Sequence, residues 1–92
     1  MDFLKIKDTW TYQIPEWDDY SRGDIEDSLE DIEGLVIDGY MFDDDSESDI
    51  WYILYQNCEF LIVNDLTHGC AVKTTNEEDL PVLGQLVGQL DF

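Results

Sequence analysis

The chain has 92 residues, and its 23 Asp and Glu residues face only four Lys and Arg residues, for a formal net charge of −19 at pH 7. Affinity for nucleic-acid phosphates requires basic side chains, so this composition excludes direct nucleic-acid binding. A hydrophobic fraction of 43%, with three Trp, five Tyr and four Phe residues, excludes a disordered acidic tail and predicts a single acidic folded domain over residues 1–92.

The N-terminal part of the chain, residues 3–14, alternates loosely between apolar and polar residues and is rich in β-formers. This pattern predicts one or two short strands that end before Pro15. A polar loop is expected at residues 16–22, and it carries two large aromatic residues, Trp17 and Tyr20.

An amphipathic helix is predicted over residues 24–33, where the apolar residues fall on one helical stripe. They are Ile25, Leu29 and Ile32. Ser21 followed three residues later by Asp24 predicts a capping box, and Gly34 predicts the end of the helix. Six acidic residues and no basic ones occupy the rest of the segment, so we expect apolar packing to hold a helix that like charges disfavour.

The middle of the chain contains four further segments rich in β-formers, which are residues 35–42, 50–56, 60–64 and 70–74. Short polar links join the last three, so an antiparallel meander is predicted. Residues 50–55 are apolar on both alternating faces, which favours an interior position in the sheet.

The last segment, residues 78–90, has leucines at helical spacing, with Pro81 in the predicted first turn. The whole pattern therefore predicts an α+β domain, a small antiparallel sheet of four to five strands packed with two helices, at approximately 24–33 and 78–90. The apolar side of the second helix is equally suited to pack against a second copy of the chain, so a homodimer remains an alternative. Its residues are Leu83, Leu86, Val87 and Leu90.

The acidic residues are concentrated in one third of the chain. Residues 16–49 contain fifteen acidic residues and one basic residue, whereas the rest contains eight acidic and three basic residues. A solvated, repulsive surface is the simplest interpretation of a charge run. The lack of interleaved Lys or Arg favours a surface made for a cationic partner instead.

The spacing of these acids suits the imitation of nucleic-acid phosphates. Helical neighbours at i and i+3 or i+4 lie about 5–6 Å apart, close to the spacing of successive phosphates. A row of carboxylates beside an acidic loop can therefore occupy a groove lined with Lys and Arg. The predicted phosphate surrogates are Asp18, Asp19, Asp24, Glu26, Asp27, Glu30, Asp31, Asp43, Asp44, Asp45, Glu47 and Asp49.

Aromatic residues complete the predicted interface. Charge alone binds loosely and weakens with salt, whereas Trp and Tyr are favoured interface anchors. Trp17 and Tyr20 lie within the acidic loop, so they are the candidate anchors.

In composition and size the chain resembles phage-encoded DNA-mimic inhibitors, namely anti-restriction proteins, uracil-DNA glycosylase inhibitors and anti-CRISPR proteins. It also resembles the acidic immunity proteins that neutralise nuclease toxins. The resemblance implies an inhibitor whose partner is a basic nucleic-acid-binding protein, such as a nuclease, a CRISPR effector or a toxin. A phage antidefence protein is the leading hypothesis, and an immunity protein is the alternative. An acidic adaptor or a halophile's domain, without mimicry, is the alternative of another class.

Metal binding and catalysis have little support in the sequence. Asp43, Asp45 and Glu47 alternate as in an EF-hand loop, but Ser48 and Leu54 stand where that loop needs Gly and a bidentate Glu. A zinc site would have to use Cys58, His68 and Cys70 without a Cys-x-x-Cys pair. The only histidine has no visible catalytic partner, so we expect no metal, no cofactor and no enzymatic activity.

The N-terminal residues MDFLKIKD contain no apolar signal-peptide region, and no apolar run reaches the about 20 residues of a membrane span. We therefore expect a cytoplasmic protein without membrane contact. In that compartment Cys58 and Cys70 are expected to be free thiols, and a disulfide between them would require export.

Overall fold

The fold is built on one antiparallel sheet. The computed structural model describes residues 4–6, 8–17, 20–65 and 69–90, and within them six strands are hydrogen-bonded in the order β1-β2-β6-β5-β4-β3. The strands are β1 Leu4–Ile6, β2 Thr9–Gln13, β3 Leu35–Asp43, β4 Ser48–Tyr55, β5 Cys58–Asp65 and β6 Gly69–Thr74. The predicted α+β class is confirmed, with six strands instead of four to five, because the N-terminal segment supplies two paired strands.

Strands β4 to β6 form the predicted meander, and β3 extends it, so that β4 lies between β3 and β5. Gln56 and Asn57 alone link β4 to β5, and both have positive φ angles, of 51° and 64°. A two-residue hairpin loop with this backbone matches the twist of the flanking strands. β2 pairs with β6, which brings the N-terminal hairpin to the far side of the meander.

Two helices accompany the sheet, α1 at Arg22–Glu30 and α2 at Leu80–Gln89. A 3-10 turn, Glu77–Asp79, precedes α2, and another at Pro15–Trp17 follows β2. α1 begins two residues before the predicted helix and ends three residues earlier, at a C-cap on Asp31. Acidic side chains at a helix C-terminus oppose its dipole, which favours an early end.

The predicted capping box at the start of α1 is confirmed. The Asp24 backbone N–H donates to Ser21 Oγ at 3.3 Å, and the Ser21 N–H donates to Asp24 Oδ2 at 3.2 Å. Reciprocal bonds of this kind satisfy two backbone donors that the first helical turn leaves without partners. They stabilise the first turn of α1, although the like charges along the helix repel one another.

Both helices contribute to one hydrophobic core with alternate residues of the strands. The register places Tyr12, Val72, Ile62, Trp51 and Tyr40 in one row across five strands on this side of the sheet, which we call the covered face. The opposite side is the open face, on which neither α1 nor α2 packs. No helix in the described part of the chain is long and apolar enough to cross a membrane.

The apolar side of α2 belongs to this core. Leu83 and Leu86 are fully buried, and Val87 and Leu90 are 3% and 6% exposed. Contact with a second copy of the chain was the alternative way to bury these residues, and the covered face of the same chain buries them without one.

Candidate functional site: an acidic surface on α1 and the β3–β4 hairpin

Two hydrogen bonds hold α1 beside β4, and a third joins β4 to β3 at the same place. Trp51 Nε1 donates to Glu26 Oε1 at 3.1 Å, and Arg22 Nε donates to Asp49 Oδ1 at 3.2 Å. The Tyr40 hydroxyl donates to the same carboxylate oxygen of Asp49. The two bonds from α1 join residues 25 and 27 positions apart, so they bring the acidic helix next to the acidic hairpin turn.

Seven exposed carboxylates lie on these two elements, and we call them the acidic surface. α1 and its C-cap contribute the side opposite the buried Ile25 and Leu29, and the β3–β4 turn contributes the remainder. The residues are Asp24, Asp27, Glu30, Asp31, Asp44, Asp45 and Glu47.

Besides Asp24, whose exposed carboxylate accepts the Ser21 N–H in the capping box, three of the predicted surrogates accept hydrogen bonds within the chain. Glu26 accepts from Trp51, and Asp49 accepts from both Arg22 and Tyr40, with only 16% of its side chain exposed. Asp43 Oδ1 accepts the backbone N–H of Asp45 at 3.0 Å within the turn. These acids orient the site, and their carboxylates are already occupied by partners within the chain.

The cation nearest to the acidic surface is Arg22, and it is engaged internally. Its guanidinium lies 5.1 Å from the centre of the Tyr40 ring, a cation–π contact, in addition to the ion pair with Asp49. The other basic residues that the structure describes are on distant strands. Lys5 of β1 lies over the Trp10 ring, and Lys73 is in β6. Among the described residues, the exposed acids of the acidic surface therefore form no ion pair.

Trp17 is not the exposed anchor that the sequence predicted. Its side chain is fully buried, and its ring stacks on Tyr20 with 5.8 Å between centroids and 18° between planes. The 3-10 turn after β2 directs the ring inward, with the Trp17 N–H donating to Ile14 O at 3.0 Å. Tyr20 is half-buried and packs against the core. The free energy gained by burying a large aromatic ring outweighs the tendency of its polar sequence neighbours to keep the loop in solvent.

The remaining predicted residues of this loop, Asp18 and Asp19, lie outside the described residues, as does His68. The structure also adds two residues that sequence analysis did not include in the site, Arg22 and Tyr40. Arg22 meets its partner 27 positions along the chain, and no local pattern indicates such a pairing.

Two groups have shifted pKa values. Partial burial, followed by the hydrogen bond to Asp49, raises the pKa of the Tyr40 hydroxyl above its usual value. Burial, together with the neighbouring Asp79, raises the pKa of the Cys58 thiol. A raised thiol pKa lowers the fraction of reactive thiolate, so Cys58 is not activated as a nucleophile. Cys58 and Cys70 are not joined by a disulfide.

Within residues 4–6, 8–17, 20–65 and 69–90, no three His, Cys, Asp or Glu side chains converge on a position that could hold a metal ion. The alternating acids of the β3–β4 turn therefore do not form a calcium cage there. Comparison of the chain with models of protein families, with curated proteins and with solved structures finds no match.

Proposed function

We propose that this protein is an inhibitor that presents carboxylates in place of nucleic-acid phosphates and blocks the DNA- or RNA-binding surface of a basic protein. The observation that carries the proposal is the packing of α1 beside the β3–β4 hairpin. It joins two acidic segments of the sequence on one side of the fold, and the one cation between them is bound to Asp49.

The arrangement supports recognition of a phosphate-binding groove in two ways. Carboxylates on successive helical turns lie about 5–6 Å apart, close to the spacing of phosphates. Their unpaired charge also steers a cationic partner and raises its association rate by about 10–1000-fold. A capped helix and a hairpin hold these groups in place before binding, which limits the conformational entropy that association must overcome.

The role is binding, not catalysis, and we propose that it is exercised in the cytoplasm. A phage antidefence protein directed at a CRISPR effector or a restriction enzyme is the setting that we favour. An immunity protein against a basic nuclease toxin would use the same surface. The identity of the captured target distinguishes the two.

The test is capture of the target from host lysate with the tagged protein, followed by competition with DNA or RNA. We expect one basic nucleic-acid-handling protein that remains bound at moderate salt and is displaced by nucleic acid. Recovery of a target that nucleic acid does not displace would contradict the proposal.

A matched pair of charge variants then locates the contact. The triple variant Asp27→Asn, Glu30→Gln, Asp31→Asn removes three charges from α1 and its C-cap, and Asp8→Asn, Glu77→Gln, Glu78→Gln removes three exposed charges elsewhere. We expect the first to weaken target binding by about tenfold or more, since that corresponds to about 1.4 kcal/mol, and the second to have little effect. Equal weakening by both would indicate attraction to net charge alone.

A further inference from the structure

The open face of the sheet carries a continuous apolar surface. The register places Met41, Ile50 and Val63 in one row, Tyr52 and Leu61 in the next, and Val36 and Leu54 beyond. Their exposure is unusual for core-type residues, since Val36 is 56%, Met41 43% and Tyr52 41% exposed. Apolar clusters of this kind on a monomer mark interaction sites.

A groove of about 720 Å³ runs across this face. Tyr52, Leu54, Leu61 and Val63 contribute apolar lining, and Thr11 and Lys73 lie toward the β2 side. The Thr11 hydroxyl is an additional feature, since the residue is 1% exposed and Oγ1 has no hydrogen-bond partner among the described residues. Buried hydroxyls are almost always bonded, so this group is available to a polar group that enters the groove.

Two contacts position the Tyr52 side chain beside this groove. Its hydroxyl donates to Met41 Sδ at 3.2 Å, and its ring lies against Gly39, where an added Cβ would be 3.6 Å from Cδ2. Aromatic side chains fixed before binding are effective interface anchors, because little rotamer freedom is lost. The anchor that the sequence assigned to Trp17 is thus available on the other side of the sheet.

Acidic residues border the apolar surface at both ends. Asp43 and Asp65 follow the apolar rows at the end that carries the β3–β4 turn, and Asp38 and Glu59 lie beside the groove at the other end. A matching partner therefore presents apolar side chains with Lys or Arg around them. A second copy of the chain would bring acids against acids on two molecules that each carry a charge of −19.

The edge of the sheet is less suited to a partner than its face. β3 is the edge strand beside this surface, and its pairing with β4 shifts register between Ile37 and Gly39. A bulge with a charged residue at an edge, here Asp38, discourages the addition of another strand. A partner is therefore expected to contact side chains on the open face and not the backbone of the edge strand.

We propose that the open face is the apolar anchor of the interface, docking a cluster of aliphatic or aromatic side chains that is bordered by Lys and Arg on the target. This inference rests on the proposed function. The acidic surface attracts the target over a distance, and the open face supplies contact that persists when salt screens the charges.

The test compares two synthetic peptides of equal charge, one alternating Leu with Lys and one alternating Gly with Lys. Binding is measured by calorimetry at low and high salt, and the site is mapped from amide chemical shifts in the ¹⁵N-labelled protein. We expect the Leu peptide to bind about tenfold tighter, a difference of about 1.4 kcal/mol, and to shift the amides of Tyr52, Leu61 and Val63.

Two single variants serve as test and control. Tyr52→Ser should remove most of the preference for the Leu peptide. Phe42→Ser, which deletes a ring that is 45% exposed on the other side of the same hairpin, should leave the preference unchanged. Circular dichroism of both variants checks that the fold is retained.

Several outcomes would overturn the inference. Equal affinities, with shifts confined to α1 and the β3–β4 turn, would refute the apolar anchor while leaving the proposed function intact. Failure of both peptides to bind even at low salt would refute both. A dimer in sedimentation equilibrium that Tyr52→Ser dissociates would show that a second copy occupies the face.

Discussion

Trp51 and Tyr52 are neighbours in β4, yet they belong to opposite faces of the sheet and to different environments. Trp51 is fully buried beneath α1 and donates to Glu26, whereas Tyr52 is 41% exposed and contacts Met41 and Gly39. The covered face therefore supplies the core of the domain. The open face keeps apolar side chains at the surface, where they contribute less to stability and are available for contact.

The difference shows how a domain of this charge can have a buried core and still expose apolar side chains on one face. A domain of about this size buries only about 60–65% of its unfolded surface, so leaving one sheet face open gives up a large share of what could be buried. The carboxylates of α1 repel one another as well. Stability must then depend mainly on the covered face. The following substitutions compare the contributions of the covered and the open face.

The largest expected effect is on the covered face. Trp51→Ala should lower the free energy of unfolding by about 3–5 kcal/mol, because a buried ring and its bond to Glu26 are lost. Tyr52→Ala should lower it by about 1 kcal/mol or less, since its ring is partly in water. Denaturant titration of both variants measures the contrast. Similar losses would mean that the two faces do not differ as described.

The next effect concerns the helix that covers Trp51. Ser21→Ala removes the acceptor for the Asp24 N–H and should lower the free energy of unfolding by about 1 kcal/mol. Ser28→Ala, in the interior of the same helix, is the matched control and should be neutral or slightly stabilising, because Ala favours helices. Thermal unfolding of the two variants shows whether the capping box stabilises α1 on the covered face. A larger loss from Ser28→Ala would contradict this account.

A smaller effect of opposite sign is expected at the two ends of α1. Asp31→Asn removes a negative charge from the C-cap and should stabilise the protein by about 0.3–1 kcal/mol. Asp24→Asn removes the same charge from the first turn and should destabilise it by a similar amount. Both differences should shrink in high salt. If both variants shifted stability in the same direction, general repulsion would dominate over the helix dipole.

The smallest effect is expected at Tyr40, a residue of the covered face that is still 38% exposed. Because the pKa of Tyr40 is raised in the folded state, its contribution to stability is complete below about pH 10 and is lost as the pH rises through the higher folded value. Tyr40→Phe should lack that part of the alkaline decline. Tyr52→Phe, the matched control, should keep it, because Tyr40 and its bond to Asp49 are unchanged. Stability measured at pH 9 to 11 compares the variants, and identical profiles would contradict the assignment.

Elements that depend on neighbouring residues were predicted well. The capping box at Ser21 and Asp24, the meander and the apolar stripe of α2 follow from spacing along the chain. The boundaries of α1 and the two N-terminal strands were less accurate. Strand pairing and helix ends depend on partners that are remote in sequence, as the pairing of β2 with β6 shows.

The candidate site, too, was predicted only where it depends on residues that are close in sequence. The exposed acids of α1 and the hairpin turn follow from composition and helical period. The use of Glu26 and Asp49 as partners for Trp51 and Arg22 does not, because those contacts exist only after α1 has packed on the sheet. Trp17 shows the limit most directly, since acidic neighbours in sequence did not keep its ring at the surface.

By itself the sequence determined the class of the fold, the segregation of charge and the alternation of side chains along β4. It left open which face of β4 is covered, because a period of two assigns residues to faces without saying where a helix will pack. The tertiary structure decided that α1 and α2 share one face, which buried Trp17 and the apolar side of α2 and left Tyr52 and the groove open.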